Sequence, residues 1–217
     1  MVTKSSLIVV LIILFLLILI YIVPFFPEIE KINPALMPSQ IVMSPAFGTI
    51  DHVKYISGIG KGDMPVDVVV ISIYLSLLDT HVQYYPMSGY LIHQYKEKGK
   101  NEFATDRGVA IYNNSSKTVM QSLNNKVIHI YRYTGYFSRR LVSCKDDMPY
   151  ISDRDPTFAA LPRAKVITHQ NVTVGKPMGA ILLGSRVEIM IPAKNFELSI
   201  MKGEKVYGPN TMLGIYR

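Results

Sequence analysis

VVVISIYLSLLDTHVQYYPMSGYLIHQYKEKG, residues 68–99, is the stretch whose reading decides the fold. A run rich in β-branched and aromatic residues, Val66–Leu77, gives way to Asp79 and Thr80. Pro86 and Gly89 then open a second such run, Gly89–Tyr95. Short apolar runs bounded by turn residues read as strands. Working outward, the same signal recurs at Gly108–Tyr112, Lys126–Tyr133, Val166–His169, Gly179–Leu183, Arg186–Ile191 and Phe196–Met201. Helical period is convincing only before Pro24, although Ser138–Cys144 or the stretch near Thr118–Leu123 could form a short helical turn. The expectation is a mostly β (α+β) domain.

A second unit, VEIMIPAKNFELSIMKGEKVYGPNTMLGI at residues 187–215, repeats the alternation of strand and Gly/Pro turn. Two such units suggest a sandwich or barrel-sandwich-like domain of the lipoyl or biotinyl type. No lysine occupies a carrier-type Met-Lys turn, so a carrier role is unsupported. The 217 residues leave room for one ordinary domain once the extreme N-terminus is set aside. Cys144 is the sole cysteine, which excludes an internal disulfide framework and any cysteine-based metal site. The formal charge of +7 favours anionic partners. Lys96, Lys98, Lys100, Arg139, Arg140, Lys202 and Lys205 are scattered and no nucleic-acid motif accompanies them, so no nucleic-acid partner is expected. His52, His93, His129 and His169 show no ligand spacing with carboxylates and read as structural, and no metal is expected.

Ser6–Val23, SLIVVLIILFLLILIYIV, contains no charge and approaches the roughly 18 residues needed to span a bilayer as a helix. A cleaved signal peptide fits less well, because no small-x-small site follows and Pro24-Phe25-Phe26-Pro27 comes instead. Prolines stop the helix and the aromatics suit the interface. The expected organisation is a membrane anchor at 1–27, a polar, proline-bearing linker at 28–40 and one domain at 41–217. Lys4 before the span and Glu28 and Glu30 after it weakly place the amino terminus in the cytoplasm; organelle and side stay open.

GAILLGSRVEIMIP, residues 179–192, sets Leu183-Gly184-Ser185-Arg186 between two β-rich runs. Further segments accompany it: MSPAFGTI at 43–50, LSLLDTHVQYYPMSG at 75–89, TGYFSRRLV at 134–142 and MKGEKVYGPNTMLG at 201–214. Together they resemble, in order and spacing, the phosphatidylserine decarboxylase family: its SPADG segment, its LSPxDxHxxxxPxxG segment, the AGxxARRIV of its short archaeal-type forms, and its Gly-rich closing hairpin. LGSR looks like the FGSR of those short forms. The resemblance covers nearly everything from Ile41 to Arg217.

It implies an enzyme, a carboxy-lyase that converts phosphatidylserine to phosphatidylethanolamine. Its pyruvoyl cofactor would be made from Ser185 by breaking the chain after Gly184. The residue types suit that chemistry. The Ser185 hydroxyl can attack the Gly184 carbonyl, and β-elimination from the ester then leaves a dehydroalanine that hydrolyses to the pyruvoyl group. Glycine tolerates the backbone geometry such an attack needs. The ketone is an electron sink for the carbanion left when carbon dioxide departs. The partners implied are phosphatidylserine, membrane lipid and the two chains left by cleavage; a homodimer is compatible with them.

His81 is the candidate acid or base, with a structural histidine in a strand turn as its alternative. Asp79 either assists it or caps a turn. Arg139 and Arg140 either grip the lipid phosphate or form a solvated basic face. Two positions depart from the family pattern. Phe47 stands where the SPADG segment has its Asp, which supports self-cleavage, and Tyr84 stands where long forms carry a second His. Asp51 and Asp79 are candidate substitutes for the missing carboxylate. Phe47 therefore keeps a rival reading open, a non-cleaving relative that binds lipid. A third, an unrelated membrane-tethered protein, turns on whether the Asp79–His81 turn and Ser185 meet in space.

Overall fold

The computed structural model of the chain describes residues 4–22, 38–58, 67–97, 113–135, 141–143, 170–181 and 185–217. For 4–6, 18–22, 95–97, 142–143 and 185 it describes the backbone alone. Helix α1 covers Lys4–Ile22, inside the run expected as an anchor, and Leu7–Leu17 are each about half exposed. Among the described residues no helix is long and apolar enough to cross a membrane.

Among the described residues fourteen strands follow: β1 (Ile41–Met43), β2 (Phe47–Ser57), β3 (Asp67–Leu75), β4 (Val82–Tyr84), β5 (Gly89–Glu97), β6 (Ser115–Ser122), β7 (Val127–Thr134), β8 (Leu141–Ser143), β9 (Gln170–Val172), β10 (Pro177–Ile181), β11 (Ser185–Pro192), β12 (Phe196–Leu198), β13 (Lys205–Tyr207) and β14 (Met212–Tyr216). The mostly β expectation holds. Thr118–Ser122 belongs to strand β6 and Leu141–Ser143 forms β8, so neither is helical. The expected strands at Gly108–Tyr112 and Val166–His169 lie outside the described residues.

An eight-stranded sheet runs β13-β2-β3-β11-β7-β6-β5-β9, accompanied by the three-stranded sheets β1-β14-β12 and β4-β10-β8. All three contribute to one core. Val69, Ile71, Ile73 and Leu75 of β3 and Val187, Ile189 and Ile191 of β11 meet Val42, Met178, Ile181, Phe196 and Leu213 from the small sheets. At about 25 cal/mol per Å² of apolar surface, this alternation fixes the register, because a one-residue slip would turn each strand's core residues outward.

On the opposite face of β3 and β11, Ser72, Arg186 and Glu188 are buried, while Arg132 of β7 and Ser116 and Thr118 of β6 are buried polar groups on the core face, in line with Val187 and Ile130. These groups bond to one another or to neighbours, as burial requires. Arg132 donates to the Ser116 hydroxyl (2.9 Å), and Arg186 to the Asp51 carboxylate (2.6 Å) and the Ser72 hydroxyl (2.8 Å). Asp51 reaches Arg186 because the β2–β3 register shifts between Ile50 and His52, and such a bulge re-aims the extra side chain.

Candidate active site

β11 begins at Ser185, whose backbone pairs with Leu75 at the end of β3 and with Thr134 at the end of β7. Upstream, β10 ends at Ile181, whose N–H donates to the His81 carbonyl (3.0 Å). The 182–184 connector lies outside the described residues, as does Gly184. Four Cα steps join Ile181 to Ser185, at most about 14 Å of chain. Both ends of the Gly184-Ser185 region are therefore tied to the 75–82 segment. The Asp79–His81 turn and Ser185, far apart in sequence, share one end of the long sheet.

The turn itself is tightly held. Asp79 N–H donates to the Ser76 carbonyl (3.1 Å), and the Asp79 carboxylate accepts from the Ser76 N–H (2.8 Å), the Ser76 hydroxyl (2.7 Å) and the Lys205 ammonium (2.5 Å). Asp79 thus caps the turn. Burial pushes its carboxyl up, but the bonds from Lys205 and Ser76 and the Lys205 charge outweigh that and hold it below 3.8. His81 is almost fully buried, and its Nδ1 lies 2.6 Å from the Asp79 carbonyl. A carbonyl only accepts, so Nδ1 carries the proton and Nε2 is the acceptor of the neutral ring. Burial lowers the His81 pKa below 6.5, opposed by the bond to the Asp79 carbonyl and the Asp79 charge.

Gln83 supports the same point. Its Nε2 donates to the His81 carbonyl (2.6 Å), while its fully buried Oε1 finds no donor among the described residues. An orphan acceptor of this kind costs about 1–3 kcal/mol.

Asp51 is committed elsewhere. It binds Arg186 and, at 3.1 Å, His52 Nδ1; burial raises its pKa, but these partners pull it below 3.8. Phe47 starts β2 opposite Tyr207, and its ring centroid lies 6.2 Å from that of Tyr84. The two positions that depart from the expected polar pattern are thus an aromatic pair in contact. Gly208, at φ +56°, passes under the Phe47 ring, where a Cβ would overlap it.

Backbone pairing therefore places Ser185 at the sheet end from which β3 leads into the Asp79–His81 turn. Arg139 and Arg140 lie outside the described residues, and for Ser185 the backbone alone is described. Lys205 and Gln83 were not expected here. Lys205 stands 126 residues from Asp79, and no local pattern marks it as a partner.

A sequence model described as phosphatidylserine decarboxylase matches residues 37–214. Among curated proteins, the phosphatidylserine decarboxylase proenzyme of Geotalea uraniireducens is 27% identical over 196 residues, covering 90% of this chain and 79% of that one. The proenzymes of the same name from Rickettsia bellii and Rickettsia rickettsii are 24% and 26% identical over 192 residues, each covering 87% of this chain and 72% of the relative. With the model spanning nearly the whole β domain, the chain belongs to the phosphatidylserine decarboxylase family.

Proposed function

We propose that the chain decarboxylates phosphatidylserine to phosphatidylethanolamine after cutting itself between Gly184 and Ser185. The observation that supports this best is the backbone arrangement at the cut. β11 starts at Ser185 between β3 and β7, and β10 ends at Ile181 on the His81 carbonyl, so the chain on either side of residues 182–184 is held by hydrogen bonds that a break there does not remove.

In the cleavage step the Ser185 hydroxyl adds to the Gly184 carbonyl, and the Gly184–Ser185 C–N bond gives way to an ester. Loss of the residue 185 α-proton then expels Gly184 as a carboxylate, and water releases ammonia from residue 185 to leave a pyruvoyl group. Phe47 takes no part in moving those protons. Asp51 is bound to Arg186 and Asp79 to Lys205 and Ser76, and His81, neutral with Nε2 as acceptor, is the base that suits the step.

When formed, the pyruvoyl ketone supplies the electron sink for loss of carbon dioxide. His81 then holds the proton that completes the product, Asp79 and Gln83 fix the turn that carries it, and Arg139 and Arg140 are assigned to the lipid phosphate. α1 is assigned as a single-pass anchor, supported by the uncharged Ser6–Val23 run and the half-exposed leucines of the helix. The rival reading, a non-cleaving lipid-binding relative, is favoured by Phe47 alone.

Release of labelled carbon dioxide from carboxyl-labelled phosphatidylserine in mixed micelles tests the proposal. Wild type releases it and Ser185→Ala does not; equal release by both would overturn the assignment of Ser185.

A further inference from the structure

We propose that the Ser76–Asp79 turn is a membrane-contact tip that seats Leu77 and Leu78 in the interface of an anionic phospholipid bilayer; this rests on the decarboxylase reading above. Asp79 N–H closes the turn on the Ser76 carbonyl (3.1 Å), so Leu77 and Leu78 occupy its two central positions. Gly, Pro, Asn and Asp usually fill such corners, for conformational reasons that leucine does not share. Leu77 is 46% and Leu78 80% exposed. The Asp79 carboxylate clamps the turn through Ser76 and Lys205, so the leucines cannot fold back onto the core without breaking those bonds.

Neighbouring residues extend the surface. On β13, Val206 is buried while Lys205 and Tyr207 emerge on the outward side, and the Lys205 ammonium reaches Asp79. Tyr207 is 55% exposed. Two leucines at a rigid tip beside a tyrosine and a lysine give the residue pattern of the bilayer interface, where apolar groups enter and amphipathic ones stay at headgroup level. The +7 charge of the chain favours an anionic membrane over a neutral one.

Position selects lipid as the occupant. Leu77 lies two residues beyond Leu75, the cross-strand partner of Ser185, hence about 7 Å of extended chain from it. With the leucines at the acyl boundary, the reacting bond sits at the depth of the serine headgroup, and the substrate need not leave the bilayer.

The chain has no tryptophan, so Leu78→Trp introduces a sole reporter. Reconstituted into phosphatidylserine-containing vesicles with brominated phosphatidylcholine, full-length Leu78→Trp should be quenched. Leu123→Trp, on the β6–β7 turn at a position 56% exposed, should not. A Leu77→Ser/Leu78→Ser variant should raise the KM for vesicle phosphatidylserine about tenfold, the scale of removing one leucine from an apolar phase, with turnover of monomeric dihexanoyl-phosphatidylserine unchanged. Absence of quenching overturns the proposal. So does quenching with equal loss on both substrates, or a dimer that the serine substitutions dissociate, which would assign the tip to a second copy. If the wild type converts neither substrate while Leu78→Trp is still quenched, the decarboxylase reading fails and the membrane tip stands.

Discussion

Lys205→Met removes the cation that reaches Asp79 from the closing hairpin. Among the described residues the Asp79 carboxylate, its side chain 9% exposed, keeps its two bonds from Ser76, while the Lys205 side chain that is lost is 44% exposed. Breaking a fully buried pair costs about 3–5 kcal/mol. Solvent already screens nearly half of this one, which brings the expected loss to about 1–2 kcal/mol. For a β domain of this size that is a fall in Tm of roughly 2–8 °C. Because the folded pKa of Asp79 lies below its ordinary value, the stabilisation is present above the unfolded carboxylate pKa, about 3.9, and is lost as pH falls through the folded value. Thermal unfolding of the full chain in detergent at pH 7 should therefore separate wild type from Lys205→Met, the gap should shrink as the pH is taken below the unfolded carboxylate range, and Lys205→Arg should behave as wild type. Equal Tm values at pH 7, or a gap that persists in acid, would refute the assigned role of the pair.

His81→Ala separates making the cofactor from using it: one uncut chain on a gel is expected if His81 activates Ser185, whereas two chains with turnover down by about 10² or more would confine it to decarboxylation. Normal cleavage with near-normal conversion would remove His81 from the mechanism. Since the folded His81 pKa lies below 6.5, the unfolded chain binds the proton first, and stability should decline as pH drops below about 6.5; His81→Gln should flatten that slope in urea titrations. Gly208→Ala should cost about 1–3 kcal/mol, from its positive φ and overlap with Phe47, and Phe47→Ala should recover part of the loss in a double-mutant cycle.

The strands legible in the sequence were those whose apolar run is continuous. Asp67–Leu75 within the expected Val66–Leu77 run, and Arg186–Ile191, read as strand because β3 and β11 lie mid-sheet with both faces buried, where alternation is not needed; Ser76 and Leu77 belong instead to the turn that follows. β6 was misread because Ser116 and Thr118 are polar yet fully buried, facing Arg132 and Gln94 across strands, so neither the helical nor the strand period describes them. The site was legible as far as short motifs reach: Asp79 and His81 stand two residues apart, and Ser185 follows a glycine. What was not legible depends on pairing between distant segments. Lys205 on Asp79 depends on β13 pairing with β2 beside β3, Phe47 against Tyr84 on the Tyr84 N–H bonding to the Pro45 carbonyl, and the bulge that gives Asp51 to Arg186 leaves no mark in the sequence.

The Phe47–Tyr84 contact also bears on the rival reading. Phe47, where the family pattern has an Asp, packs against Tyr84, and the His81 turn beside it keeps its hydrogen bonds.

An intact-mass spectrum of the purified full-length protein tests the central claim most directly. The account predicts two chains, one ending at Gly184 and one beginning at residue 185 with a pyruvoyl block, and a single uncut chain for Ser185→Ala. A wild-type mass equal to the complete 217-residue product would contradict it.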